Sequence, residues 1–163
     1  MNMEMMKSLL GKTLRVDRGG HESRVGKLLA IGEDHLTLLT KEDGIIYYKA
    51  HHIKSVTENS KNQMPLDLEI PENFELTQTA NFKEALNSLK YQWVKINRGG
   101  KESLEGVLDD INDDFVTVVK NEEVIRIATF HIRNISYGEM IGKPTKEEAK
   151  SKEEEKETQE EKE

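Results

Sequence analysis

Apolar and polar residues alternate through Thr13-Leu14-Arg15-Val16-Asp17-Arg18, and again through Trp93-Val94-Lys95-Ile96-Asn97-Arg98, the period of a half-buried strand. Each stretch runs into a Gly-Gly pair, Gly19-Gly20 and Gly99-Gly100, followed by Glu22-Ser23 and Glu102-Ser103. The match continues at an offset of 80 through Gly26/Gly106, Asp34/Asp114 and Thr37/Thr117, then at 79 through Ile46/Ile125, His52/His131, Lys54/Arg133 and Val56/Ile135. One residue is therefore missing from a turn of the second copy. Register kept over about fifty residues marks a duplicated module.

Within each copy the pattern predicts a helix and five short strands. Met3, Met6, Leu9 and Leu10 recur at helical spacing, as do Phe82, Ala85, Leu86 and Leu89, where Asn81 and Glu84 form a capping-box variant. The Gly-Gly pairs suit tight hairpin turns. Beyond them, Glu22 and Glu102 can lie across the ladder from Arg18 and Arg98. These residues fit either a turn with a cross-strand ion pair, worth roughly 0.2–1 kcal/mol if exposed, or a recognition loop.

The second strand contains Gly26 or Gly106, and an interior strand glycine marks a bend or a close backbone approach. Nearly continuous apolar runs, His35-Leu36-Thr37-Leu38-Leu39-Thr40 and Phe115-Val116-Thr117-Val118-Val119-Lys120, read as central strands. Residues 45–49 and 124–127 supply a fourth strand, and 53–56 and 132–135 a last short one. The fold class expected is mainly β: tandem duplicated Sm-like or SH3-like small β-barrels, each preceded by a short helix. The expected divisions are a first barrel repeat at 1–57, a linker at 58–79, a second repeat at 80–140 and a charged tail at 141–163.

In the linker, Met64, Leu66, Leu68 and Ile70 occupy alternate positions and suit an edge strand, within an extended connector laid across the surface. From Lys143 onward the chain is mostly Lys and Glu without a large apolar side chain, which predicts a disordered acidic tail.

His52 and His131 stand at equivalent places before the last strand. One imidazole per module falls short of a three-ligand metal site, so both are read as structural histidines bonded to backbone, with zinc shared between modules as the alternative. No metal or other cofactor is expected. A hydrolase would need His52 and His131 to converge with acids such as Asp34 and Asp114, which their spacing does not demand.

Charged residues make up 34% of the chain and hydrophobic ones 35%, so part of it lies outside any core. A formal net charge of -7 opposes phosphate backbones, so nucleic acid is a disfavoured partner. With no cysteine, disulfides and thiol chemistry are excluded. There is no signal-like start and no apolar run long enough for a membrane span, so a soluble protein inside a cell is expected, with no membrane partner.

Several long strings, in order, resemble the spore coat protein B family of endospore-forming bacteria. They are Arg18-Gly19-Gly20 with Glu22-Ser23 and Gly26-Lys27-Leu28; Tyr47-Tyr48 with His51-His52-Ile53-Lys54-Ser55; Val94-Lys95-Ile96-Asn97-Arg98-Gly99-Gly100; and Val119-Lys120-Asn121 with Glu123-Val124, Arg126-Ile127 and Phe130-His131-Ile132. The resemblance implies a non-enzymatic spore coat component, made in the mother-cell cytoplasm, deposited on the forespore and exposed near the spore surface. Its implied partners are other coat proteins, with self-association as a further option. Members of the family can carry a long tail rich in Ser, Lys and Arg that a coat-associated kinase phosphorylates. Here residues 143–163 are short and acidic, with Thr145, Ser151 and Thr158 as the only hydroxyls, so tail phosphorylation does not carry over.

Candidate interaction residues are therefore Arg18, Gly19, Gly20 and Glu22 with Arg98, Gly99, Gly100 and Glu102. The competing function is an Sm-like RNA binder using Arg18, Arg24, Lys27, Arg98 and Lys101.

Overall fold

The computed structural model describes residues 1–137; the tail expected at 141–163 lies outside them. The order is α1 (Met3–Lys7), β1 (Thr13–Val16), β2 (Arg24–Ile31), β3 (His35–Thr40), β4 (Gly44–Lys49), a 3-10 turn (Ala50–His52) and β5 (Val56–Thr57). The same series then recurs as α2 (Phe82–Ser88), β6 (Trp93–Ile96), β7 (Leu104–Ile111), β8 (Phe115–Lys120), β9 (Glu123–Ala128), a 3-10 turn (Thr129–His131) and β10 (Asn134–Tyr137). Among the described residues no helix is long and apolar enough to cross a membrane.

Local chemistry explains these elements. The Asn2 side chain accepts from the Glu4 and Met5 amides at the start of α1, and Asn81 accepts from the Glu84 amide at the start of α2. Glu84 returns the bond to the Ala80 amide at 2.9 Å. The Asp34 carboxylate adds a bond from the Phe82 amide at 2.7 Å, tying the β2–β3 turn to the second helix. Gly26 is required by close approach: a Cβ there would stand 2.5 Å from the Leu39 carbonyl oxygen of the paired strand. The ladders to β3 and β8 carry a register shift at matching places, Leu28/Ala30 and Leu108/Asp110.

The ten strands of the described residues belong to one antiparallel sheet, ordered β5-β1-β2-β3-β4-β10-β6-β7-β8-β9. The expectation of closed barrels is therefore corrected, because the sheet does not close. β5 pairs with β1 but not with β4, whose outer edge is taken by β10 from the other half of the chain. An unpaired strand edge is satisfied by any chain offering backbone donors and acceptors in register, and here β10 offers them.

Two cores line this sheet. Met6 and Leu9 bury against Leu14, Val16, Leu28, Leu36, Leu38, Ile46 and Tyr48. Phe82, Ala85, Leu86 and Leu89 bury against Val94, Ile96, Leu108, Val118 and Ile135, together with Leu39, Ile45 and Tyr47 from the first half. β4 thus feeds alternate side chains to different cores, as period-2 geometry allows.

Three further expectations are corrected. Residues 64–70 form no strand; Met64 is buried and Leu68 packs on the second core, so the connector is held by side chains and not by a ladder. The last strands begin at Val56 and Asn134, later than 53 and 132, because the 3-10 turns end at His52 and His131 and the next residues lead out of them. The Gly-Gly segments are not two-residue hairpins. They lie inside longer loops, 17–23 and 97–103, because Asp17 and Asn97 leave the strands in left-handed conformation at φ 55° and 52°. The Asp17 carboxylate accepts from the Lys54 and Ser55 amides, and Asn97 accepts from the Arg133 amide while donating to the His131 carbonyl. Each loop is thereby anchored beside the last strand of its own half.

Candidate interaction surface

The seam between the halves is a four-pair antiparallel ladder: Asn134 opposite Tyr48, Ile135 opposite Tyr47, Ser136 opposite Ile46 and Tyr137 opposite Ile45. Side chains lock it from both ends. Asp43, whose side chain is 6% exposed, accepts from Arg24 of its own half and Arg98 of the other. Arg98 also donates to the Ser136 hydroxyl. Glu22 pairs with Arg133 across the seam at 2.8 Å. Lys49 Nζ donates to the Thr129 carbonyl at 2.6 Å, and His52 Nε2 lies 3.1 Å from the Phe130 carbonyl oxygen.

The expected cross-strand pairs, Arg18 with Glu22 and Arg98 with Glu102, are therefore replaced. In an open loop the partners no longer face each other, and Arg98 reaches the buried carboxylate of Asp43 instead. A charge at low exposure interacts more strongly than one in water, which favours this choice.

The structure divides the candidate residues into two groups. Arg98, Gly99, Gly100 and Glu22 sit in the seam. Gly99, at φ +84°, packs so closely on the His21 carbonyl that a Cβ would collide with it, and a Cβ on Gly100 would meet Arg133 Nη2 at 2.9 Å. Arg18, Gly19, Gly20 and Glu102 are exposed, and none of the described residues lies within 4 Å of a Cβ built on Gly19 or Gly20. The Arg-Gly-Gly stretch is thus enclosed in the second copy and open in the first, and the glutamate that follows it the reverse.

The histidines also differ. Burial lowers the His52 pKa from its ordinary value, partly opposed by the bond to Phe130, while His131 contributes its backbone carbonyl to Asn97. His35, whose counterpart in the second copy is Phe115, is buried. Its Nε2 lies 3.2 Å from the Thr79 hydroxyl and its Nδ1 3.4 Å from Asp34, and burial holds its pKa below the usual value. Among the described residues no three His, Asp or Glu are grouped as a metal would need. Asp34 caps α2 and His52 faces a carbonyl, so each has its own partner. Arg24 and Arg98, two of the cations an RNA binder would use, are bound to Asp43.

Sequence reasoning missed Asp43, Arg133, Tyr47, Tyr137 and Ser136 as seam residues. Only Arg133 carried a signal, as the cationic counterpart of Lys54.

On the far side of the second half, a shallow groove of about 530 Å³ lies between the 97–103 loop and β9, lined by Asn97, Leu104, Ile125, Ile127 and His131. In the first half the matching positions include Ile46, Tyr48 and His52, of which Ile46 and Tyr48 are buried. Among the described residues the sheet leaves the outer edges of β5 and β9 without a paired strand.

Spore coat protein B of Bacillus subtilis (strain 168) is 41% identical to this chain over 143 residues, 88% of its length. Over those residues the chain belongs to the spore coat protein B family. It spans 37% of that relative's length. No family model and no solved structure matches the chain. The span shared with spore coat protein B is long enough to include both loops and the seam between them.

Proposed function

We propose that this chain is a non-enzymatic structural component of the spore coat, deposited on the forespore from the mother cell and held there by contacts with other coat proteins near the spore surface. The observation that carries this reading is the 41% identity to spore coat protein B over 88% of the chain. The fold supports the same reading: two sheet edges present backbone donors and acceptors, the usual means of strand-addition docking. We read each half as an opened Sm-like or SH3-like module, divided at 1–57 and 80–140 and joined by the 58–79 connector. Arg18, Gly19, Gly20 and Glu102 are the loop residues offered to partners, whereas Glu22, Arg98, Gly99 and Gly100 hold the halves together. His52 serves as a structural imidazole at the seam.

A fluorescent fusion followed through sporulation tests the assignment. Signal collecting around the forespore, together with altered coat protein composition in a deletion strain, is the expected result. A fusion that stays diffuse in the mother cell, or leaves coat composition unchanged on deletion, overturns it.

A further inference from the structure

The seam inside the chain is half of a repeating pattern. It joins β4 of the first half to β10 of the second, and the duplication makes β9 the counterpart of β4 and β5 the counterpart of β10. Those counterparts are the two strands whose outer edges pair with no strand among the described residues. We propose that β9 of one copy pairs with β5 of the next, so that copies of this chain join head to tail through a repetition of their own internal seam.

The implied register places Ile127, Arg126, Ile125 and Val124 opposite Ser55, Val56, Thr57 and Glu58 of the neighbouring copy. Charge decides whether this repetition is favourable, and it can be checked at three positions. Asp43 and Arg98, paired in the seam, become Glu122 and Arg18. Glu22 and Arg133, paired at 2.8 Å, become Glu102 and Lys54. Tyr47 and Tyr137, stacked across the seam, become Arg126 and Glu58. Every substitution keeps opposite signs or turns an aromatic pair into an ion pair. Lys54 now lies 3.4 Å from Glu22 of its own chain, an exposed pairing that it would exchange for Glu102 of the neighbouring copy.

Exposure agrees. Ile45 is covered by β10, whereas its counterpart Val124 is 55% exposed. The groove beside β9 lies where β10 and Arg98 sit in the first half. Gly19 keeps a positive φ like that of Gly99, +76°, with none of the described residues within 4 Å of a Cβ there. In the repeated seam it would receive the Lys101 carbonyl, as Gly99 receives that of His21. Glu58 now rests on Lys12 at 2.9 Å with both side chains about half exposed, a pairing weak enough to exchange. Because the two edges differ, the contact is heterologous and builds a ring or a filament.

This inference rests on the reading of the open edges as docking surfaces. Sedimentation of the full chain over a range of concentrations and salt tests it. The expected result is a reversible series of chain multiples that shrinks as salt rises. Arg126→Glu and Glu58→Arg each weaken association about tenfold, since each turns an attraction into a repulsion; Arg126→Glu leaves the melting point of the monomer unchanged, and Glu58→Arg lowers it only by the loss of its exposed pair with Lys12. Mixing the two variants restores assembly. A chain that stays monomeric throughout, or assembly indifferent to both reversals, overturns the proposal; so does a monomer whose β9 amides are protected from exchange. The same variants in a fluorescent fusion separate the two readings. A monomeric chain that still reaches the coat sinks the head-to-tail joint alone, and assembly in solution without coat localisation sinks the coat assignment alone.

Discussion

Tyr47 and Tyr137 stack across the seam with ring centroids 6.1 Å apart and an interplanar angle of 8°. Tyr47 is 1% exposed, and burial pushes its hydroxyl above the usual range. Truncating it empties a site shared by both halves. Tyr47→Ala is expected to lower stability by about 3 kcal/mol, measured by urea denaturation, with both halves still unfolding in one transition. Two separate transitions in the parent chain would contradict a shared core.

Asp43 holds two guanidinium groups whose side chains are only 18% and 15% exposed. Asp43→Asn leaves both without a counter-charge, and a loss of about 3 kcal/mol is expected. Arg98→Gln should recover part of it, so the double-mutant cycle is less than additive. Additive losses would mean that the two groups act independently.

Gly99 and Gly19 have the same conformation in different surroundings. Gly19→Ala carries only the left-handed cost, about 1 kcal/mol in the isolated chain. Gly99→Ala adds a collision with the His21 carbonyl and should lose clearly more. Thermal melts of the two variants at one low concentration compare them directly.

His35 is held neutral by burial, against the opposing pull of Asp34 and Glu84. Its folded pKa is lowered, so the unfolded state binds more protons below about pH 6.5, and stability falls as pH drops from there to the folded value. His52, shifted the same way, adds to this slope. Denaturation midpoints between neutral and mildly acidic pH should fall in the parent chain and fall less in His35→Gln.

Much of the local structure was legible because it depends on neighbours in sequence. Helical spacing and Asn81 with Glu84 placed α2, and the alternation from Thr13 placed β1. The loops are not legible from Gly-Gly alone, because Asp17 and Asn97 start them by taking positive φ and bonding to a segment far along the chain. The apolar alternation at 64–70 misled for a related reason: it records burial of side chains such as Met64, and burial alone does not specify a ladder.

The sequence by itself determined that one pattern of apolar alternation and glycines recurs, where most of the strands lie and how α2 is capped, because periodicity and capping act over a few residues. Only the tertiary structure decided that β10 sits on β4, that Arg98 finds Asp43 while Arg18 stays exposed, and that two equivalent strands differ in burial. The physical reason is that a strand edge offers the same amides and carbonyls to every suitor, so which strand pairs with which is settled by side chains that meet only after the chain has folded.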